Sequence, residues 1–516
     1  MTDRRQFFKH TLIFGVGGIV GQLVPVILLP LYTHYLTPGD YGVLSIIYLA
    51  SDIISTVFFV GGIRLAAMTF YKQAESEEAR RRVAVTVSLL LWIAVAVAIT
   101  LSFCFIDSIC YFLRTDKKEL LALGLAVTLL EALVAIPMTL TQARLESLRF
   151  VITNLTISFA RLGLNIFFIA GLKFGILGIF YAQAIVLCVS IVYLTLREIR
   201  IGSIYPNVAQ WKEVLQFSLP LVPNGILAFL YELAGWFAIM YLGPYESEDA
   251  AYWAFGLYAL AGRLIQVTAI LGVKPMQQVW TAEMYDIHKT PEASAVFGNF
   301  ALRLLCVQAF AALGLAMFSH EIVRILCDSS YHQAAILIPF FALNSMVALF
   351  NTQMHNTFFI MRKTNYNLFG TIYSLPFIYL FMFLLVPHWG IMGAAIGFLL
   401  ANIVNAGIVY RITQRFFHVR YPFNKMAKLL AITLLCYGLS LLCGSGVETF
   451  ETQSKWEKIA QLWYHIQWLA ILNKTGILIL WGVLLWFSGI LSQEDKALAI
   501  RILKRGLDLL HIPSFR

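Results

Sequence analysis

The chain has 516 residues, of which 59% are hydrophobic and only 13% charged, and its net charge is +10. A soluble domain carries about 25% charge, so this composition excludes a soluble enzyme or nucleic-acid-binding module. Apolar runs of roughly 20 residues, the length that crosses a bilayer, recur along the whole sequence and predict an all-α, polytopic membrane protein.

The first residues, MTDRRQFFKH, are basic. The apolar run behind them is too long for a signal-peptide core and has no small-residue cleavage site, so it reads as the first span. The predicted spans are 11–36, 41–66, 83–106, 119–142, 150–172, 175–197, 214–241, 251–275, 296–318, 332–360, 366–387, 389–411, 425–443 and 471–491, fourteen in all. The tail at 493–512 alternates apolar and basic residues at helical spacing and predicts a helix lying on the membrane surface.

Lys and Arg excess marks the cytoplasmic side. With the N-terminus inside, about two-thirds of the 38 Lys and Arg fall in inward segments, including Arg4, Arg5, Lys9, Arg80, Arg81, Arg82, Arg362 and Lys363. Both termini are then cytoplasmic, as an even number of spans requires.

Two corners divide the chain. YLTPGDYG (35–42) follows the first span and YLGPYESEDAAYWAFG (241–256) follows the seventh. A second pair, Gly175-Ile-Leu-Gly178 and Gly390-Ile-Met-Gly393, sits between spans five and six and between eleven and twelve. The order and spacing predict two copies of a six-helix unit. Copies of like orientation imply a pseudo-two-fold axis along the membrane normal and a central cavity between the bundles. The predicted division is 1–200 for the first bundle, 201–415 for the second, 416–492 for two additional helices and 493–516 for an amphipathic cytoplasmic tail. The register between copies stays open. Setting Tyr41 against Tyr252 pairs Asp52 with Arg263, whereas setting Tyr41-Gly42 against Phe255-Gly256 breaks that match.

Charges at mid-membrane depth are costly and point to function. Asp52, Glu131, Glu232, Arg161 and Arg263 fall near the middle of their spans, Arg303 in the inner third, and Arg64 near the cytoplasmic end of span two. Arg64 and Arg303 can snorkel to the surface, and Arg161 and Arg263 can pair with the acids inside one bundle. The functional reading is a cationic cavity in which Arg64, Arg161, Arg263 and Arg303 hold an anionic headgroup, since the guanidinium fork matches phosphate oxygens and stays charged. Asp52, Glu131 and Glu232 are either ion-coupling sites or counter-ions for these arginines.

Other chemistry has no motif. Cys104, Cys110, Cys188, Cys306, Cys327, Cys436 and Cys443 show no CxxC and no metal spacing, and read as small buried hydrophobes. No phosphate loop, HExxH or GxSxG occurs, so no cofactor and no metal is expected. GVGGIVG (15–21) reads as a small-residue packing face because Gly17 and Gly21 are four apart. The longest outward segment, 444–470, is short for a membrane glycosyltransferase or ligase.

The segment FFKHTLIFGVGGIVGQLVPVILLPLYTHYLTPGDYGVLSI, followed by GGIRLAAMTFYK, resembles the opening of the polysaccharide biosynthesis (Wzx-like) flippases. That family belongs to a superfamily that also holds multidrug and toxin exporters and the peptidoglycan lipid flippase. Leu29-Pro30-Leu31-Tyr32-Thr33, Tyr35-Leu36, Pro38 and Asp40-Tyr41-Gly42 match the family pattern. Arg64 stands where the family carries an Arg, but Leu65-Ala66-Ala67 follow it and the aromatic pair comes later, at Phe70-Tyr71. The resemblance implies a non-enzymatic flippase that moves an undecaprenyl-diphosphate-linked oligosaccharide to the outer leaflet by alternating access, for capsule, exopolysaccharide or O-antigen synthesis. It implies a bacterial inner-membrane location, contact with membrane lipids, polysaccharide polymerase and glycosyltransferase partners, and no nucleic acid. The alternative is a small-molecule exporter of the same superfamily.

Overall fold

The computed structural model describes residues 24–442 and 468–500, apart from 25, 59, 145, 202–205, 208, 362–364, 494, 498 and 499. The basic start, the GVGGIVG face, Cys443 and most of the predicted tail helix lie outside the described residues. The described chain is helical throughout, with no strand.

The first half runs through α1 (Leu29–Tyr35), α2 (Pro38–Val57), α3 (Val60–Gln73), α4 (Glu77–Cys104), α5 (Ile106–Leu113), α6 (Lys118–Ala143), α7 (Ser147–Asn165) and α8 (Gly175–Ile201). The second half holds α9 (Ala209–Ser218), α10 (Val222–Leu242), α11 (Glu248–Thr268), α12 (Lys274–Ile287), α13 (Ala293–Met317), α14 (Ser319–Leu326), α15 (Ile338–Ile360) and α16 (Asn365–Thr413). Then come α17 (Phe423–Leu442) and α18 (Trp468–Phe487). Among the described residues, ten helices are long and apolar enough to cross a membrane, or eleven if Ser329–Ile336 and Ile338–Phe358, bent by 50°, form one span. The predicted count of fourteen therefore stands apart from the structure. Only residues 24–36 of the first span are described, α18 is short, and the predicted eleventh and twelfth spans are counted together as one 46-residue stretch, Leu368–Thr413, kinked at Gly390.

Sequence explains the element boundaries. Thr37 caps α2: its hydroxyl accepts from the Asp40 backbone N–H, while the Asp40 carboxylate accepts from the Thr37 N–H. This reciprocal cap, with Pro38 in the first turn, makes the corner a sharp helix start. Ser247 caps α11 in the same place of the second half, accepting from Ala250 N–H. α16 breaks at Gly390, where φ is +52, and Gly175 at the start of α8 has φ +58. The left-handed region suits glycine because no Cβ meets the following carbonyl. The two glycines that match in sequence, 215 residues apart, thus adopt the same conformation.

The corners also settle the register. α2 and α11 cross so closely that a Cβ on Gly42 would stand 3.2 Å from Gly256 N, and a Cβ on Gly256 3.1 Å from Gly42 N. The reciprocal contact equates Gly42 with Gly256, the register that separates Asp52 from Arg263. Small residues let backbones approach in a bilayer, where apolar burial alone gives no driving force between helices.

Side chains from each half reach backbone carbonyls of the other at this corner end. Thr33 Oγ1 donates to Leu326 O at 3.2 Å, and Tyr331 OH to Leu36 O at 3.0 Å. Arg114 Nη1 donates to Met240 O at 3.0 Å, Tyr241 OH to Phe112 O at 2.7 Å, and Tyr252 OH to Leu113 O at 2.5 Å. The corner end is closed.

α17 and α18 pack on α13 through Leu305, Leu313, Cys436 and Trp481, all buried. Two ion pairs hold this attachment: Lys474 with Glu321, and Arg303 Nε with Asp495 Oδ1 at 2.7 Å. Lys474 is buried, so the Asn473-Lys-Thr sequence carries a packed side chain. Cys306, Cys327 and Cys436 are buried as predicted, but Cys104 and Cys188 lie on the outer helix surface, a correction to the reading of the cysteines as core.

Candidate functional site

Between the halves lies a cavity of about 560 Å³. Each wall is one face of a helix, and the spacing of its residues shows why. Tyr41, Ser45, Tyr48 and Asp52 recur every three or four residues along α2, so all four project one way. Ser158, Arg161 and Asn165 do the same on α7, and Tyr258, Gly262, Arg263 and Gln266 on α11. Glu131 of α6, Gln183 of α8 and Tyr32 of α1 complete the polar lining.

Glu131 is the centre of a network. Its Oε1 accepts from Arg161 Nη2 at 2.8 Å, and its Oε2 accepts from Gln183 Nε2 at 2.9 Å. Asn165 Nδ2 donates to Arg161 O at 2.7 Å, and Tyr32 OH to Asn165 Oδ1 at 3.3 Å. Arg161 is not saturated by this network: its Nε is buried with no hydrogen-bond partner. Arg263 has no carboxylate partner among the described residues; its Nη1 donates only to Gln266 Oε1, at 3.2 Å. A guanidinium offers five N–H donors, so donors on both arginines remain available.

The structure brings four of the seven predicted residues into this cavity: Asp52, Glu131, Arg161 and Arg263. Arg64 lines a neighbouring space of about 660 Å³ with Met68, Met138, Gln142 and Asn154, and Glu131 lines both. The two spaces therefore share one carboxylate wall. Glu232 does not line the cavity. Arg303 is elsewhere, bound to Asp495 beyond the end of α18.

The cavity mixes arginines with acids, as the expected arginine site with acidic counter-ions would. Among the described residues Arg161 and Arg263 line it with Asp52 and Glu131, and Arg263 has no acid partner. Sequence reasoning missed Tyr32, Tyr41, Tyr48, Tyr258, Asn165 and Gln183. The tyrosines give the wall flat apolar surface with a hydroxyl at its edge, a combination that suits amphipathic ligands.

No family model and no curated protein matches the chain. Solved structures do. The fold is that of the MOP superfamily transporters. The inward closed conformation of the lipid II flippase MurJ matches with a TM-score of 0.67 at 13% identity, covering 94% of this chain and 99% of that one. An inward-facing multidrug resistance MATE family transporter matches with a TM-score of 0.62 at 16% identity, over 76% of this chain and 94% of its own. A MOP superfamily transporter from Pyrococcus furiosus, described by the reverse polarity of its binding pocket, matches at 0.59 and 13% identity over 79% and 95%. At these identities the likeness establishes the MOP fold, and the cargo has to be argued from the cavity.

Proposed function

We propose that this chain is a transporter that flips a polyprenyl-diphosphate-linked oligosaccharide from the cytoplasmic to the outer leaflet, for cell-surface polysaccharide synthesis. The observation that carries the reading is Arg263, a guanidinium facing the central cavity with no carboxylate partner among the described residues. A diphosphate accepts charge-assisted hydrogen bonds from such a group. Arg161 adds a second donor set, held in place by Glu131 until an anion competes for it. The match to the lipid II flippase, over 94% of the chain against 76% for the multidrug transporter, supports the same reading. The difference is about the size of the segment after residue 415, which holds α17 and α18.

The halves, divided near residues 200 and 415, rock about the cavity. Closure at the corner end and a cavity between the halves correspond to the state that receives substrate from the other side. Binding shifts the equilibrium only by the difference in affinity between the two states. Exchange of Arg161 between Glu131 and diphosphate supplies one such difference. The excess of Lys and Arg in the inner segments supports cytoplasmic termini and a bacterial-type inner membrane as part of this reading. The cargo is passed unchanged, with no catalytic step.

A second reading, export of small amphipathic molecules, draws on Asp52 and the four tyrosines of the same cavity. One assay separates the two. Purified protein is reconstituted in vesicles with a fluorescent polyprenyl diphosphate oligosaccharide. The wild type is expected to flip it, and Arg263→Ala to flip it roughly tenfold more slowly, as loss of a charged hydrogen bond implies, with partial recovery in Arg263→Lys. A folded wild type that leaves the lipid in place but exports amphipathic cations establishes the second reading.

A further inference from the structure

A second pocket, of about 700 Å³, opens at the corner end on the far side of α11 from the central cavity. Its walls are Tyr245 and Trp253 from the second corner, Gln333 from the turn before α15, and His388 and Trp389 at the break in α16. Local sequence builds it. Gly390 turns the chain with φ +52, and Tyr245 packs against that turn: a Cβ on Gly390 would stand 2.9 Å from the Tyr245 hydroxyl. This packing against Gly390 makes the Tyr245 ring part of the wall.

The groups that remain are uncommitted. Trp253 is 39% exposed and Trp389 57%. Asp249, Gln333 and His388 are exposed and make no side-chain hydrogen bond or ion pair with the described residues. Aromatic residues at a membrane interface also serve as anchors to the headgroup layer. An anchor needs only lipid on one side, however. Here two indoles and a phenol share one concave space with a carboxylate, an amide and an imidazole.

That set has a specific complement. A pyranose ring presents an apolar face of axial C–H groups, which lies on an indole, and an equatorial rim of hydroxyls that both donate and accept. Asp249 accepts, Gln333 does both, and His388 does either according to its tautomer. A phosphate would be repelled by Asp249 and would find no arginine or lysine in this lining. A purely apolar ligand would leave three polar groups unpaired.

We propose that this pocket is a saccharide-binding site, taking one or two neutral pyranose units stacked on Trp253 and Trp389. It extends the proposed function, because it lies at the end predicted to face outward, where a crossing sugar chain would emerge. α11 lines both this pocket and the central cavity, so a sugar held here bears on the helix that carries Arg263.

The test is direct binding of free sugar, which needs no flipping. Full-length protein in phospholipid nanodiscs, free of maltoside detergent whose headgroups would compete, is mixed with maltotetraose or with the tetramer of N-acetylglucosamine. Saturation-transfer difference NMR reads contact with the ring protons. The wild type is expected to saturate at least one of the two sugars. Trp253→Ala is expected to lower the signal roughly fivefold, and Trp253→Phe to keep most of it. No transfer to either sugar with the wild type overturns the site, as does equal transfer in wild type and Trp253→Ala. A protein that flips lipid but binds neither sugar loses this site and keeps its proposed function; one that binds sugar but flips nothing does the reverse.

Discussion

Replacing Lys474 by methionine is expected to lower stability by about 3–5 kcal/mol, the cost of breaking a buried ion pair from one side. The Lys474 side chain is 5% exposed and its ammonium meets Glu321 Oε1, with the Phe318 ring 5.7 Å away. Glu321 Oε2 is buried with no hydrogen-bond partner, so the ammonium is the carboxylate's principal compensation. Without it, the acid must stay charged and unpaired or take up a proton. Methionine keeps the length and apolar stem of lysine, so the loss reports on charge rather than on a void. Adding Glu321→Gln to Lys474→Met is expected to restore more than half of the loss. Thermal melts of the wild type, both single variants and the double variant decide the matter. A Lys474→Met protein that melts with the wild type would show that the pair contributes nothing.

The second large effect is expected at Gly256. A Cβ there would stand 1.8 Å from the Pro38 carbonyl oxygen, inside any permitted contact. The obstacle is backbone, which no rotamer change can move aside, so Gly256→Ala must part α2 from α11. Overpacking of this kind costs on the order of 3 kcal/mol or more. The cost falls only on the state in which the two corners touch. The variant should therefore favour opening at that end. A cysteine at Ser45, on the cavity face of α2, placed in a background without the native cysteines, reads the change through an impermeant thiol reagent added from outside. Labelling is expected to be markedly faster in Gly256→Ala than in its parent. An equal rate would mean that the corner end opens no more readily when the glycine is lost.

Much of this was open to reading from residues alone, because hydropathy reports span by span. The helical runs, the twin glycines Gly175 and Gly390, and the four cavity charges Asp52, Glu131, Arg161 and Arg263 all follow from local pattern. The rest depends on contacts far apart in the chain. Arg303 looks like any intramembrane arginine until the tail brings Asp495 against it. The partition of α2 from α3 and the π-helical turns at Ile166–Gly171 and Ala269–Val273 shift hydrogen-bond register without changing hydropathy. The tyrosines were overlooked because a hydropathy reading treats them as part of an apolar run. The signal was present in the spacing of Tyr41, Ser45, Tyr48 and Asp52, which puts every polar atom on one stripe of an otherwise apolar helix. The register between the copies needed the Gly42–Gly256 contact, since the corners differ in length.

The bonds that close the corner end have a bearing on energy coupling. Their donors are Thr33, Arg114, Tyr241, Tyr252 and Tyr331, and every acceptor named is a main-chain carbonyl. Hydroxyl, phenol and guanidinium groups as classes do not change charge near neutral pH, and a peptide oxygen stays neutral throughout. The latch is therefore blind to physiological pH. A proton or sodium that times the cycle would then act away from these bonds, for instance on the carboxylates Asp52 and Glu131 deeper in the cavity, and reach the latch through the movement of α2 and α11.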